Sequence, residues 1–151
     1  MPLLKIKREG DIRQVLVAAE GISDLATVIL SPGARQVTMG ATGSEHLAAG
    51  VARGGVSSGA LIWVQTHGLV SGVKVATSAV QAGDRLAIRT SGKVTPFNTI
   101  TTSGLVSGIQ VASGIISGYA SINAFNTGRV LGRALTSGGS GAAIQAIITL
   151  E

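Results

Sequence analysis

Cysteine is absent from this sequence, aromatic residues are scarce, and no apolar run is long enough to cross a bilayer. The missing thiols exclude disulfides, thiol nucleophiles and thiolate metal sites together. Aromatics are 3% of the chain, and Trp63, Phe97, Tyr119 and Phe125 are all of them. The core must therefore be built from Val, Ile, Leu and Ala, without the roughly 150–250 Å2 that each aromatic buries. Charged residues make up 13% and hydrophobic residues 45%, against a usual charged share of about 25%. That balance excludes a disordered chain, which would be rich in charge and poor in apolar side chains. The longest apolar pieces are of the kind Ala60-Leu61-Ile62-Trp63-Val64, far short of the ~20 residues of a membrane helix. Lys5, Lys7, Arg8, Glu9 and Asp11 stand where a signal peptide would have its apolar centre. Apolar surface that neither lipid nor a large core absorbs points to burial between subunits.

What is abundant is glycine, with 22 residues, alongside Ser, Thr and Val. This predicts an all-β protein of many short strands joined by tight turns. Ala60–Thr66, Gly72–Ala76, Arg85–Arg89 and Ala143–Leu150 read as strands, and Asp11–Val17 can open another. A helix over Ile12–Glu20 competes weakly with that strand, because Gly21 would end it after barely two turns. Gly33, Gly43, Gly83-Asp84, Ser91-Gly92 and Gly138–Gly141 punctuate the chain as turns. Glu45–Val51 is the best place for a helical turn. A core of small side chains buries little area per strand, so an isolated subunit is expected to be marginal and to gain from contacts with copies of itself.

Two internal similarities set the organisation. Residues 50–62 match residues 132–144 without a gap, each a small-residue strand, a Gly/Ser turn and an apolar strand. Upstream, residues 34–38 correspond to 91–95, and Ser23-Asp24-Leu25-Ala26 to Gly83-Asp84-Arg85-Leu86. The conserved order predicts a duplicated β-unit, about 23–66 and 82–151. Second, residues 66–76 recur as 102–112, inside a segment of about 98–128 that reads as an inserted β-hairpin. Residues 1–13 read as an arm ahead of a single β domain over 14–151. Its cluster Lys5, Lys7 and Arg8, followed by Arg13, is either a solvated terminus or a segment that grips an acidic neighbour.

Chemistry has little to work with. His46 and His67 are the only histidines of the chain, and neither lies in a metal-binding spacing. No serine sits in a nucleophile elbow. Residues 54–59 and 138–141 lack the lysine of a phosphate loop and read as hairpin turns. Asp24 and Asp84 read as turn residues that bond their own backbone. The net charge of +5 is scattered, without the interleaved aromatics of a nucleic-acid binder. Trp63 lies inside an apolar strand and reads as core, which speaks against a glycan-binding β-module. The expectation is no catalysis, no cofactor and no metal.

The run Gly72-Val73-Lys74-Val75-Ala76-Thr77-Ser78-Ala79-Val80-Gln81-Ala82-Gly83-Asp84-Arg85-Leu86 is similar to a G-x-V-x-V…A-x-x-A-G-D-x-L pattern of tailed-phage head proteins. With Thr90–Thr95, Val130–Leu135 and Ala142–Ile147, residues 47–151 resemble the phage capsid decoration proteins, also called head cement or capsid fibre proteins. The resemblance implies a small β-barrel or β-tulip subunit, commonly a homotrimer, on the outside of a virion. Its partners would be the major capsid protein and copies of itself, with neither direct nucleic-acid contact nor membrane, and assembly in the host cytoplasm. Amino-terminal arms of such proteins often reach a neighbour, which makes Lys5, Lys7, Arg8 and Arg13 candidates for capsid contact. The hairpin departs from the family pattern; its Leu105, Val106, Ile109, Ile115 and Ile116 are candidates for oligomer contact. A fibre or tail component is the alternative structural role.

Overall fold

The computed structural model describes residues 10–42, 44–97, 100–111, 114–124 and 130–150, with 45, 100–111 and 114–124 described through their backbone. Its strands are β1 (Ile12–Ala18), β2 (Thr27–Leu30), β3 (Gln36–Met39), β4 (Ala48–Arg53), β5 (Leu61–Lys74), β6 (Arg85–Arg89), β7 (Lys93–Pro96), β8 (Ile100–Val111), β9 (Gly114–Ala124), β10 (Gly132–Ala134) and β11 (Ala143–Ile148). Single 3-10 turns occupy Glu45–Leu47 and Thr90–Gly92. Two compact units result: the hairpin of β8 and β9, and all the other strands together.

The larger unit is two five-stranded barrels in tandem that share one strand. In the first, β1 runs parallel to β3, β3 pairs β2, β2 pairs β4, β4 pairs β5, and β5 returns to β1. In the second, the later half of β5 pairs β11, β11 pairs β10, β10 pairs β6 and β6 pairs β7. A parallel bridge from Val75 to Val94 closes that ring. The two rings have the same register. Val17↔Leu61 and Leu16↔Ile62 correspond to Lys74↔Ala143 and Val73↔Ile144. Ala18↔Val37 corresponds to Val75↔Val94, and Ala52↔Val64 to Ala134↔Ala146. The protein is thus all-β and duplicated, with the first half of β5 ending one barrel and its second half beginning the next.

These registers revise one detail of the sequence alignment. Leu25 N–H donates to Ala52 O as Gly83 N–H donates to Ala134 O. The equivalent of Ala26 is therefore Asp84, and Asp24 falls opposite Ala82. Asp24 and Asp84 do not occupy equivalent places.

Each barrel closes on aliphatic side chains. Ala18, Ile22, Val28, Val37, Ala49, Ala52, Ile62 and Val64 fill the first. Their equivalents Val75, Val80, Leu86, Val94, Leu131, Ala134, Ile144 and Ala146 fill the second. Every buried apolar residue among those described is Val, Ile, Leu or Ala. Ile29, Ala48 and Val51 of the first barrel belong to the second barrel's cluster, so the outer face of the first barrel packs against the second. β4 is consequently buried on both faces up to Ala52, which accounts for its run of Ala, Gly and Val ahead of Arg53.

β5 runs unbroken for 14 residues, joining the two separate strands Ala60–Thr66 and Gly72–Ala76 that alternation predicts. Gly68 and Gly72 both take positive φ, +103° and +101°. Gly72 is the extra residue of a bulge against β11, and at both glycines the chain stays extended rather than reversing. The helical turn of Glu45–Val51 likewise ends at Leu47, because Ala48 onward pairs with β2 and β5. Gly43 and residues 1–9 lie outside the described residues, while Ile12 and Arg13 belong to β1 rather than to an arm.

β8 and β9 form a two-stranded antiparallel sheet that pairs with no other strand among the described residues. Its register is irregular between Val106 and Ile109. The similar stretch of β5 is irregular at Gly72, the position that matches Gly108.

Candidate functional site

Several polar candidates of the sequence are absorbed by the fold. Asp84 Oδ2 accepts the N–H of Gln81 at 2.8 Å, closing its own turn. Asp24 Oδ1 accepts the N–H of Gly54 at 2.7 Å and so fastens the turn between β4 and β5, not its own. In the two Gly/Ser loops, Ala60 N–H donates to Ser57 O and Ala142 N–H to Gly139 O. They are equivalent hairpin turns, with Gly59 and Gly141 at φ +83° and +76°. His46 is exposed in the first 3-10 turn, and His67 is exposed on β5 with Nδ1 3.3 Å from Thr66 Oγ1. Among the described residues, clefts of about 560, 410 and 280 Å3 are lined by no carboxylate. No helix of the described chain is long and apolar enough to cross a membrane.

Of the proposed contact residues, Lys5, Lys7 and Arg8 lie outside the described residues. Arg13 is exposed on β1, in register with Gln65 of β5. Leu105, Val106 and Ile109 are on β8, and Ile115 and Ile116 on β9. In register, Leu105 pairs Tyr119, Val106 pairs Gly118, Ile109 pairs Ile116 and Gln110 pairs Ile115. The hairpin therefore gathers these residues toward its tip, on either side of the irregularity.

The surface feature that sequence reading missed is on the first barrel. Trp63 is 54% exposed and Leu61 68% exposed, which corrects the reading of Trp63 as core. In the run Leu61-Ile62-Trp63-Val64, Ile62 and Val64 point into the barrel, so the alternate residues must point out. Directly across the ladder, Val17 faces Leu61 and Val15 faces Trp63. Arg53 flanks Trp63 from β4, and Arg35 reaches the same edge by donating from Nη2 to Val15 O at 3.3 Å. An apolar strip with a basic border results. The duplicated barrel supplies a control: Ala143, Gln145 and Leu135 stand where Leu61, Trp63 and Arg53 do. The fold itself does not require an outward tryptophan there. The signal in the sequence was this inequality between otherwise matched halves, legible once the strand phase is known.

No protein-family model matches the chain, and no curated protein matches it. The structure is similar to the solved head fiber gp8.5 N base of bacteriophage phi29, with a TM-score of 0.53 over 92% of this chain and 94% of that one, at 16% sequence identity. At that identity the likeness is one of fold.

Proposed function

We propose that this chain is a non-catalytic structural protein of a phage virion, seated on the outer face of the head, where it binds the major capsid protein and stabilises the shell as a homotrimer. The observation that carries this reading is the fold shared over almost the whole length with the phi29 head fiber base. The decoration-protein pattern over residues 47–151 is an independent support from sequence. Two physical features agree with it. A two-stranded hairpin is at best marginally stable alone in water, and β8–β9 has no third strand within the described chain; copies of the same hairpin would complete it. The Leu61–Trp63 strip is apolar surface of the sort that marks a protein contact.

The direct test is to mix the purified protein with expanded, undecorated heads and image where density appears. Ordered density on the outer shell, with a rise in the temperature at which the heads rupture, is the expected result. Absence of binding to the heads would remove this reading. A second structural reading, the base of a head fibre, is favoured by the identity of the phi29 neighbour. It differs in one respect: binding would be confined to sparse positions and further protein would extend outward from the base.

A further inference from the structure

Arg89 and Lys93 are register partners at the end of the β6–β7 hairpin, on either side of the turn Thr90–Gly92. Side chains so paired have Cβ atoms about 4.5–5.5 Å apart, and like charges placed directly opposite destabilise a sheet. Neither side chain has a hydrogen-bond or ion-pair partner among the described residues. The corresponding pair in the first barrel is Ser31 and Gln36, joined by Ser31 N–H donating to Gln36 O at 2.9 Å. That pair is neutral. The barrel closes equally well without the cations, so folding does not account for them.

The turn that carries them is fixed against the first barrel. Gly92 N–H donates to Gly40 O at 3.2 Å, Thr27 Oγ1 donates to Lys93 O at 3.3 Å, and the hydroxyls of Thr42 and Thr90 are 2.7 Å apart. Gly92 has φ +68°, and a Cβ there would press on Ala26. The backbone between the two cations is thus held against the first barrel along the whole turn. Around them lies a cleft of about 410 Å3 whose polar lining also includes Thr42, Thr77, Ser91 and Ser140. Every one of these is a hydrogen-bond donor, and no carboxylate is among the lining residues.

We propose that this cleft docks carboxylate side chains of an acidic polypeptide segment on a partner protein. An arginine fork and an ammonium beside hydroxyl donors suit carboxylate oxygens. The volume lies within the ~300–1,000 Å3 range of ligand sites, more than a bare ion needs and enough for an acidic side chain with its flanking chain. No aromatic residue lines the cleft, whereas single-stranded nucleic acid is held by base stacking on aromatics. The inference rests on the cleft alone and does not require the virion reading.

The test is titration of the full chain with capped hexaglutamate, followed by backbone amide NMR. Shifts centred on residues 89–93 and 140, with affinity about tenfold weaker in R89Q/K93Q, are expected. The charge-matched control K74Q/R133Q, at exposed positions outside the cleft, should bind as the wild type does. R89Q/K93Q should melt at or above the wild-type temperature in low salt, since it relieves a repulsion; this also shows that it folds. Failure of hexaglutamate to bind, or equal weakening in both double variants, would overturn the proposal. So would tighter binding of a single-stranded oligonucleotide, or inorganic phosphate producing the same shifts at the same concentration. Loss of head binding with hexaglutamate binding intact would strike the virion reading alone.

Discussion

Gln65 donates its side-chain amide to the carbonyl oxygen of Leu69 at 3.2 Å, and also to that of His67 at 3.0 Å. The two bonds span Gly68, where β5 leaves one barrel and enters the other. Gln65 is fully buried, and its Oε1 has no partner among the described residues. A kinked strand would otherwise leave main-chain carbonyls turned into an apolar core; the glutamine caps them from the side.

Gln65→Ala should therefore cost about 2–4 kcal/mol, combining a cavity with two lost donors. Gln65→Met, which keeps the volume and removes the orphaned oxygen, should cost less, about 1–2 kcal/mol. Urea denaturation of the two variants checks the order. Equal losses would mean that volume alone matters at the junction.

Gly50 and Gly132 are equivalent, and a Cβ on either would collide with a main-chain carbonyl of the adjacent strand, Gln65 O and Ile147 O respectively. Gly50 also has φ +142°. Gly50→Ala and Gly132→Ala should each destabilise by about 3 kcal/mol or more, because the obstacle is backbone that cannot rotate away. Gly139, with open space around it, should accept alanine within about 0.5 kcal/mol. Thermal melts of the three variants check this.

Much of the fold was legible because a barrel strand announces itself by alternation and the duplication repeats its registers. The gapless match of residues 50–62 with 132–144 is the same hydrogen-bonded hairpin twice. Four things were hidden. The upstream offset slid by two residues, since the short stretch around Asp24 and Asp84 shares composition rather than hydrogen bonding. The continuity of β5 was hidden because Gly68 and Gly72 interrupt the alternation between the two predicted strands, and a glycine inside a strand gives no sign of whether the chain bulges or ends. The outward strip was hidden because Leu61-Ile62-Trp63-Val64 is apolar at every position, so its pattern carries no phase. Arg89 and Lys93 are ordinary charges in the sequence; only the register makes them face each other.

The Leu61–Trp63 strip separates stability from association. Trp63→Ala and Leu61→Ser remove exposed surface and leave both barrel cores intact, so stability should change by no more than about 1 kcal/mol. Binding to heads, or self-association, should fall by about tenfold or more if the strip is the contact, since aromatic anchors dominate such interfaces. Sedimentation of the variants with and without heads reads both quantities. Unchanged association would return the strip to ordinary surface.

The hairpin gives the sharpest separation. β7 ends at Pro96, Phe97 N–H still donates to Arg85 O, and the chain returns at Val130 and Leu131, both buried. The barrel ladders are thus complete without residues 98–127, the second compact unit. Replacing that segment by a short Gly/Ser linker should leave the urea midpoint of the barrel unit near its value at high dilution, because loop-closure cost falls slowly with length. What should disappear is the dependence of the midpoint on protein concentration, since mass action stabilises a chain only while its copies bind each other. A deletion that keeps the wild-type mass in sedimentation would place the oligomer contact on the barrels. A deletion that unfolds them at every concentration would show that the hairpin belongs to their core.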